Sequence, residues 1–203
     1  MAKYSTDRSR LHIQTNNPTE EQLRKDELEE GGEVKGWLET CGPTAMVNCL
    51  DALGVDIEIT TPGGYKPQPE EVAADYFNDP ANYAKFRKIR NDLGFDRVQG
   101  NRIPNLYPLA AKELFATEAL VFLMRSWNEI VADLIAGYAD QLCLKEPGHF
   151  IAAVDYDPTT GEIIYNDSHP ARTGTDGFRL RMGLAEYEAN VQACVIVYTG
   201  GKA

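Results

Sequence analysis

The stretch Glu39-Thr40-Cys41-Gly42-Pro43-Thr44-Ala45-Met46-Val47-Asn48-Cys49-Leu50-Asp51-Ala52-Leu53-Gly54 decides how this chain is read. It opens on Cys41-Gly42-Pro43 and continues as an amphipathic helical pattern. Met46, Cys49, Leu50 and Leu53 recur at offsets of three and four, the spacing of one buried helical face. Pro43 suits a first turn, whose N–H groups have no partner inside the helix. Gly54 suits the residue beyond the end. Cys41 is thereby expected at a helix N-terminus, where unpaired N–H groups and the positive end of the helix dipole favour a thiolate. A buried cysteine that merely packs is the bland alternative. The Gly-Pro beside Cys41 and the partners found farther along favour a nucleophile.

Upstream of this stretch, Leu11 and Ile13 alternate with polar neighbours, a weak strand signal, and Gln14 opens a polar turn. From Thr19 to Gly31 the chain is highly charged, with Thr19 and Gln22 spaced as a capping box. Downstream, the turn-rich Thr61–Pro69 segment leads to helices expected from Pro69 to Phe77, over Tyr83–Leu93 and over Leu109–Leu114. Residues 55–118 read as a helical insertion. Its Tyr65, Tyr76, Tyr83 and Tyr107 read first as packing surface and second as the wall of a substrate cleft.

The second half has a different rhythm. Ala119–Met124 is a short apolar run that predicts a strand. Ser126 and Glu129 form a capping box ahead of Trp127, Ile130, Val131 and Leu134, the buried face of a helix ended by Gly137. Strands are then expected at Gln141–Lys145, Gly148–Tyr156, Glu162–Asp167 and Val191–Tyr198, the last apolar enough to be central. Helices first and an antiparallel sheet second make an α+β fold. The 203 residues suit one domain, 1–203.

A hydrophobic fraction of 43% and a charged fraction of 25% fit a globular protein with a sizeable core. The net charge of −11 argues against nucleic acid, whose phosphates need a basic surface. No apolar run approaches the roughly 20 residues of a membrane span, and no charged-then-apolar opening suggests a secretory signal. Synthesis in the cytoplasm is expected, with any release to the wall or exterior needing another route. Cys41, Cys49, Cys143 and Cys194 lack CxxC spacing, so thiols are expected rather than disulfides or zinc, and no cofactor is implied.

A thiolate nucleophile needs a base in hydrogen-bond reach, and the base needs a third group to orient it. Of the three histidines, His149 opens an apolar strand just after Pro147-Gly148. A hairpin centred near residue 159 places residue 149 opposite residue 169, which makes Asp167 a diagonal neighbour able to hold the ring's tautomer. Successive strand residues face opposite sides, so only one of Asn166 and Asp167 meets the ring. Asp167 is the choice and Asn166 the rival. His169 reads as a surface or cleft-rim residue, and His12 as structural or exposed. An oxyanion hole needs donors aimed at the developing charge. The Cys41 N–H is one, and Gln14 is the candidate side-chain amide, with Gln22 left open. Glu39 is a complication, because a carboxylate near Cys41 opposes thiolate formation unless it points away.

Four motifs in order now carry a resemblance: ETCGPTAMVNCLDALG at 39–54, SWNEIVADLIAG at 126–137, PGHFIAAVDYD at 147–157 and GEIIYNDSHP at 161–170. Together they resemble the papain-like superfamily of bacteriocin-leader-processing, double-glycine-peptidase-like enzymes and their free-standing bacterial and phage relatives. The resemblance implies a papain-like fold, a nucleophile helix packed on a C-terminal antiparallel sheet. It implies Cys41 as nucleophile, His149 as base and Asp167 as orienting group. Family members carry an oxyanion glutamine close upstream of the cysteine, and no glutamine stands near Lys35. Gln14-Thr15-Asn16-Asn17 resembles a segment of some phage relatives, which is why Gln14 is preferred over Gln22. Segment 55–118 is unmatched. The reading is a cysteine peptidase or amidase, first of cell-wall peptides in the manner of a phage or prophage lysin, second of a protein substrate. A catalytically dead binding module is the alternative from another class, and the intact Cys41, His149 and Asp167 argue against it.

Overall fold

The computed structural model describes residues 11–12, 40–89, 103–145, 148–169 and 174–200. Gln14, Gln22, Glu39, the Ile13 half of the strand signal and the charged 19–31 segment lie outside the described residues. Six helices and six strands are described. Helices α1 (Cys41–Ala52), α2 (Pro69–Asn78), α3 (Tyr83–Ile89) and α4 (Tyr107–Phe115) precede strand β1 (Ala119–Phe122). Then come α5 (Trp127–Ile135), β2 (Ala139–Leu144), β3 (Phe150–Asp157), β4 (Glu162–Asn166), β5 (Leu180–Met182), α6 (Leu184–Asn190) and β6 (Val191–Tyr198).

The strands form one sheet in the order β1-β6-β2-β3-β4-β5, every pair antiparallel. β6 is internal, as its apolar content predicts. Strand alternation sorts the buried residues into two layers. Ala139, Cys143, Phe150, Ala152, Val154, Ile196 and Tyr198 join a core with α1, α2 and α4. Leu142, Leu144, Ile151, Ala153, Val195 and Val197 join a second core with Ile130 and Leu134 of α5 and Tyr187 of α6. The sheet is covered on both faces, which is why β2 is buried along its whole length. At the far edge, β1 leaves Leu120 exposed, and Leu123 and Met124 follow it into solvent.

The nucleophile helix differs from its sequence reading in one respect. A single buried stripe was expected, yet every residue from Gly42 to Asp51 is buried. The cause is position: α1 packs on β2 and β3 on one side and against α2 on the other. Its polar residues are therefore inside and bonded. Asn48 accepts from His12 N–H (3.1 Å) and donates to the His12 carbonyl (3.0 Å), so one amide grips one residue's backbone at both ends. The His12 ring meets buried Glu70 at 3.0 Å, a structural role for that histidine.

Residues 180–190 hold β5 and α6, which the sequence pattern did not signal. A strand of three residues is too short to display a period of two. The tyrosines of 55–118 divide. Tyr76 and Tyr107 are core, Tyr83 is half-buried, and Tyr65 is exposed at a turn. Ser126 caps α5 as its spacing predicts. Its hydroxyl accepts from Glu129 N–H at 3.4 Å, and the Glu129 carboxylate accepts from Ser126 N–H at 2.8 Å. Ser126→Ala is expected to cost about 1 kcal/mol of stability, read as a lowered urea midpoint with unchanged m-value, because the cap belongs to the layer behind the sheet.

Candidate active site

Thr40 stands as the N-cap of α1, so Cys41 occupies the first helical position and is partly exposed. Gly42 and Pro43 behind it are buried. Gly148, at φ +81°, takes a left-handed backbone that few side-chain-bearing residues adopt. It turns the chain so that His149 enters β3 with its carbonyl accepting from Leu144 N–H at 2.7 Å. His149 is almost wholly buried.

The β3–β4 hairpin pairs Ala152 with Asn166 and Ala153 with Tyr165, and shifts register once between Ala153 and Asp155. Extended beyond Ala152, that register sets residue 149 opposite residue 169. Asp167, with no solvent exposure, meets the ring: His149 Nε2 lies 2.7 Å from Asp167 Oδ1. Asn166 Oδ1 is engaged elsewhere, accepting from Arg179 N–H at 3.0 Å. Cys41 stands close enough to the His149 ring to act on it by hydrogen bonding and by charge. Gln14, the amide candidate, lies outside the described residues.

Burial by itself would push the His149 imidazole down. The hydrogen bonds to Asp167 and Cys41, with the charges of both, outweigh it and raise the ring to about 9. Those contacts favour the imidazolium over the neutral ring at neutral pH.

His169 corrects its sequence reading as a surface or rim residue. It is buried, and its N–H donates to Asp167 Oδ1 at 2.9 Å. The turn after β4 folds residue 169 back beneath the carboxylate instead of carrying it outward. Sequence reasoning missed three further contributors. Gly177 lies against Asp167: its carbonyl accepts from Asp167 N–H at 2.8 Å, and a Cβ at Gly177 would stand 2.2 Å from the Asp167 carbonyl oxygen. Its φ of +76° sets the same requirement. Gln141 and Tyr198 lie under the start of α1. Gln141 Nε2 donates to the Gly42 carbonyl at 3.2 Å, and Tyr198 Oη donates to Gln141 Oε1 at 2.6 Å. The one sequence signal for them was a polar residue at a core-facing position of β2.

Tyr107 completes the floor. Burial pushes its phenol well up, the nearby Cys41 acts in the same direction, and the hydrogen bond with Gln141 opposes them. Its ring packs 5.8 Å from that of Phe150, the residue after His149. No disulfide joins any two of the four cysteines. Among the described residues no group of three or more His, Cys, Asp or Glu side chains is placed to hold a metal, and no helix is long and apolar enough to cross a membrane.

The profile of the family described as "Peptidase_C39 like family" matches residues 14–194. Among solved structures, the chain is similar to the peptidase domain of Streptococcus mutans ComA, at 15% identity and a TM-score of 0.37 over 59% of this chain and 88% of that one. It is similar to the N-terminal peptidase C39 like domain of the toxin secretion ATP-binding protein from Vibrio parahaemolyticus, at 15% identity and 0.36 over 63% and 88%. A protein of Bacillus anthracis described as a C39-like peptidase aligns at 12% identity and 0.42 over 79% and 88%.

Two measurements probe this site. An unfolded histidine titrates near 6.5, and folded His149 near 9. Its protonation therefore stabilises the fold fully below pH 6.5, and the contribution is lost as pH rises through about 9. Guanidinium titrations should show stability falling over that window, with the fall flattened in His149→Gln. Gly177→Ala is expected to displace Asp167, so that the His149 ring proton, followed by NMR, titrates below its wild-type value.

Proposed function

Because the chain belongs to the Peptidase_C39 like family, a papain-like family of cysteine peptidases, we propose that it cleaves amide bonds with Cys41 as nucleophile, His149 as acid and base, and Asp167 as orienting group. The observation that carries this is the buried His149–Asp167 bond of 2.7 Å, with Cys41 near enough to act on the same ring. Cys41 sulfur, its proton held on His149, attacks the scissile carbonyl carbon and forms the C–S bond. The carbonyl oxygen takes up the electron pair. It is met by the Cys41 N–H at the helix start, and the sequence assigns the second donor to the Gln14 side-chain amide, with Gln22 the alternative. As the tetrahedral adduct collapses, the C–N bond breaks and the imidazolium proton passes to the departing amine. Neutral His149 then takes a proton from water, whose oxygen attacks the thioester carbon, and the acid product leaves as the thiol pair is restored. Asp167 stays ionised throughout and keeps the ring in one tautomer and one plane.

The substrate assigned to this chemistry is a peptide of the bacterial cell wall, on the strength of the free-standing phage and bacterial chains that the sequence motifs resemble. Such an enzyme, made in the cytoplasm, meets the wall only after release. A protein chain is the second substrate, and the net charge of −11 favours it, since an acidic enzyme is repelled by an anionic wall.

Digestion of purified peptidoglycan and of an unfolded protein, each followed by mass spectrometry of new termini, separates the two. New termini in peptidoglycan alone support the wall reading, and new termini in the protein alone replace it with the second. Loss of the nucleophile in Cys41→Ala should remove a factor of about 10⁶ in turnover. His149→Ala should be nearly as severe and Asp167→Ala milder. Gln14→Ala should cost about 10²–10³. Cys49→Ala should retain activity. Turnover of Cys41→Ala at the wild-type level would end the proposal.

A further inference from the structure

We infer that Gln141 is a positioning residue, which locks the nucleophile helix to the sheet that carries His149. The inference rests on the peptidase reading above, because the role is defined relative to Cys41. Gln141 is fully buried in the middle of β2, on a face where its strand neighbours Ala139 and Cys143 belong to the apolar core. A buried amide is costly unless its donors and acceptor are all bonded. Here they are. Nε2 reaches the Gly42 carbonyl at 3.2 Å, Oε1 accepts from Tyr198 at 2.6 Å, and the buried Tyr107 is a further partner. Replacing every member of such a network with apolar groups of similar shape is close to neutral for stability. Packing alone therefore does not call for it.

What the amide adds is direction. Apolar contact between α1 and the sheet is non-directional and leaves the helix free to shift slightly along its own axis. The Gln141–Gly42 bond crosses from one layer to the other at the residue next to Cys41. Gln141 itself pairs with Ala152 of β3, the strand that His149 leads into. Cys41 and His149 are thereby referred to one rigid frame. Tyr198 on β6 and Tyr107 on α4 adjoin the amide, so the frame spans three strands and two helices. Reacting groups tolerate little misplacement: about 1 Å costs on the order of 10² in rate.

The test uses iodoacetamide as probe, with alkylation of each cysteine resolved by mass spectrometry between pH 5 and 9, and urea unfolding run in parallel. Gln141→Met takes away the acceptor of the Tyr198 hydroxyl and one neighbour of the Tyr107 hydroxyl, so loss of stability is expected in it. The triple variant Gln141→Met, Tyr107→Phe, Tyr198→Phe removes those hydroxyls as well. It should fold with stability near wild type, while Cys41 alkylation at pH 7 falls at least about fivefold, the equivalent of one net hydrogen bond. Its alkylation pH profile should shift away from the wild-type one. A stable triple variant whose Cys41 reacts at the wild-type rate and pH profile overturns the positioning role and leaves the peptidase reading standing. A triple variant that cannot fold overturns it too, by showing the network to be needed for packing. Wild-type Cys41 reacting no faster than Cys194 would instead overturn the nucleophile assignment, and this inference with it.

Discussion

A carboxylate cut off from water survives in a fold only if something nearby carries the opposite charge and fills its lone pairs. Asp167 is such a group, and the hydrogen bond it shares with His149 is the constraint around which this structure closes. The ring supplies the charge, and the His169 N–H supplies a second bond to the same oxygen. The Asp167 backbone is held in turn by Gly177, at a distance that leaves no room for a side chain. Removing the ring would take away the group of opposite charge that the carboxylate meets at 2.7 Å. The geometry of the pair is therefore enforced by the folding energy itself.

That enforcement sets the chemistry. Buried but doubly engaged, His149 holds its proton far above the usual imidazole range. In the proposed mechanism, the proton needed by a leaving amine is then in place before substrate arrives. Sequestering the ring also keeps it in one orientation, so little reorganisation remains for the reaction step. The proposed nucleophile comes from a different layer. Cys41 sits at the first position of a helix buried from Gly42 to Asp51, and partial exposure is left to its two ends, Cys41 and Ala52.

Much of this was legible along the chain because it is local. Cys-Gly-Pro marks a helix start by turn chemistry alone. The 149–167 relation is approached from one hairpin and a period of two, although the bulge between Ala153 and Asp155 lies between the turn and the site and moves the register by one residue. The Ser126 cap is a spacing of three. What could not be read is tertiary. Thr44 and Asn48 look like the solvent side of α1 until α2 covers them and His12 is gripped by the amide. Gln141 meets Gly42 across 99 positions of sequence, and no periodicity announces such a bond. Gly177 looks like any turn glycine, because its crowding against Asp167 exists only after folding. His169 was misjudged for the same reason: leaving a strand does not mean leaving the interior.

The layering has a mechanical consequence. His149 and Asp167 come from adjacent strands, joined by a ladder of backbone hydrogen bonds on either side of a shared hairpin. Cys41 reaches them from a helix that belongs to no strand ladder, and among the described residues its first turn is tied to β2 by a side-chain bond. The soft coordinate of the proposed catalytic unit is therefore the travel of α1 over the sheet, and the stiff one is the separation of His149 from Asp167. Were helix and sheet to part on warming before the ladder melts, the proposed alignment would be lost while the secondary structure is still intact.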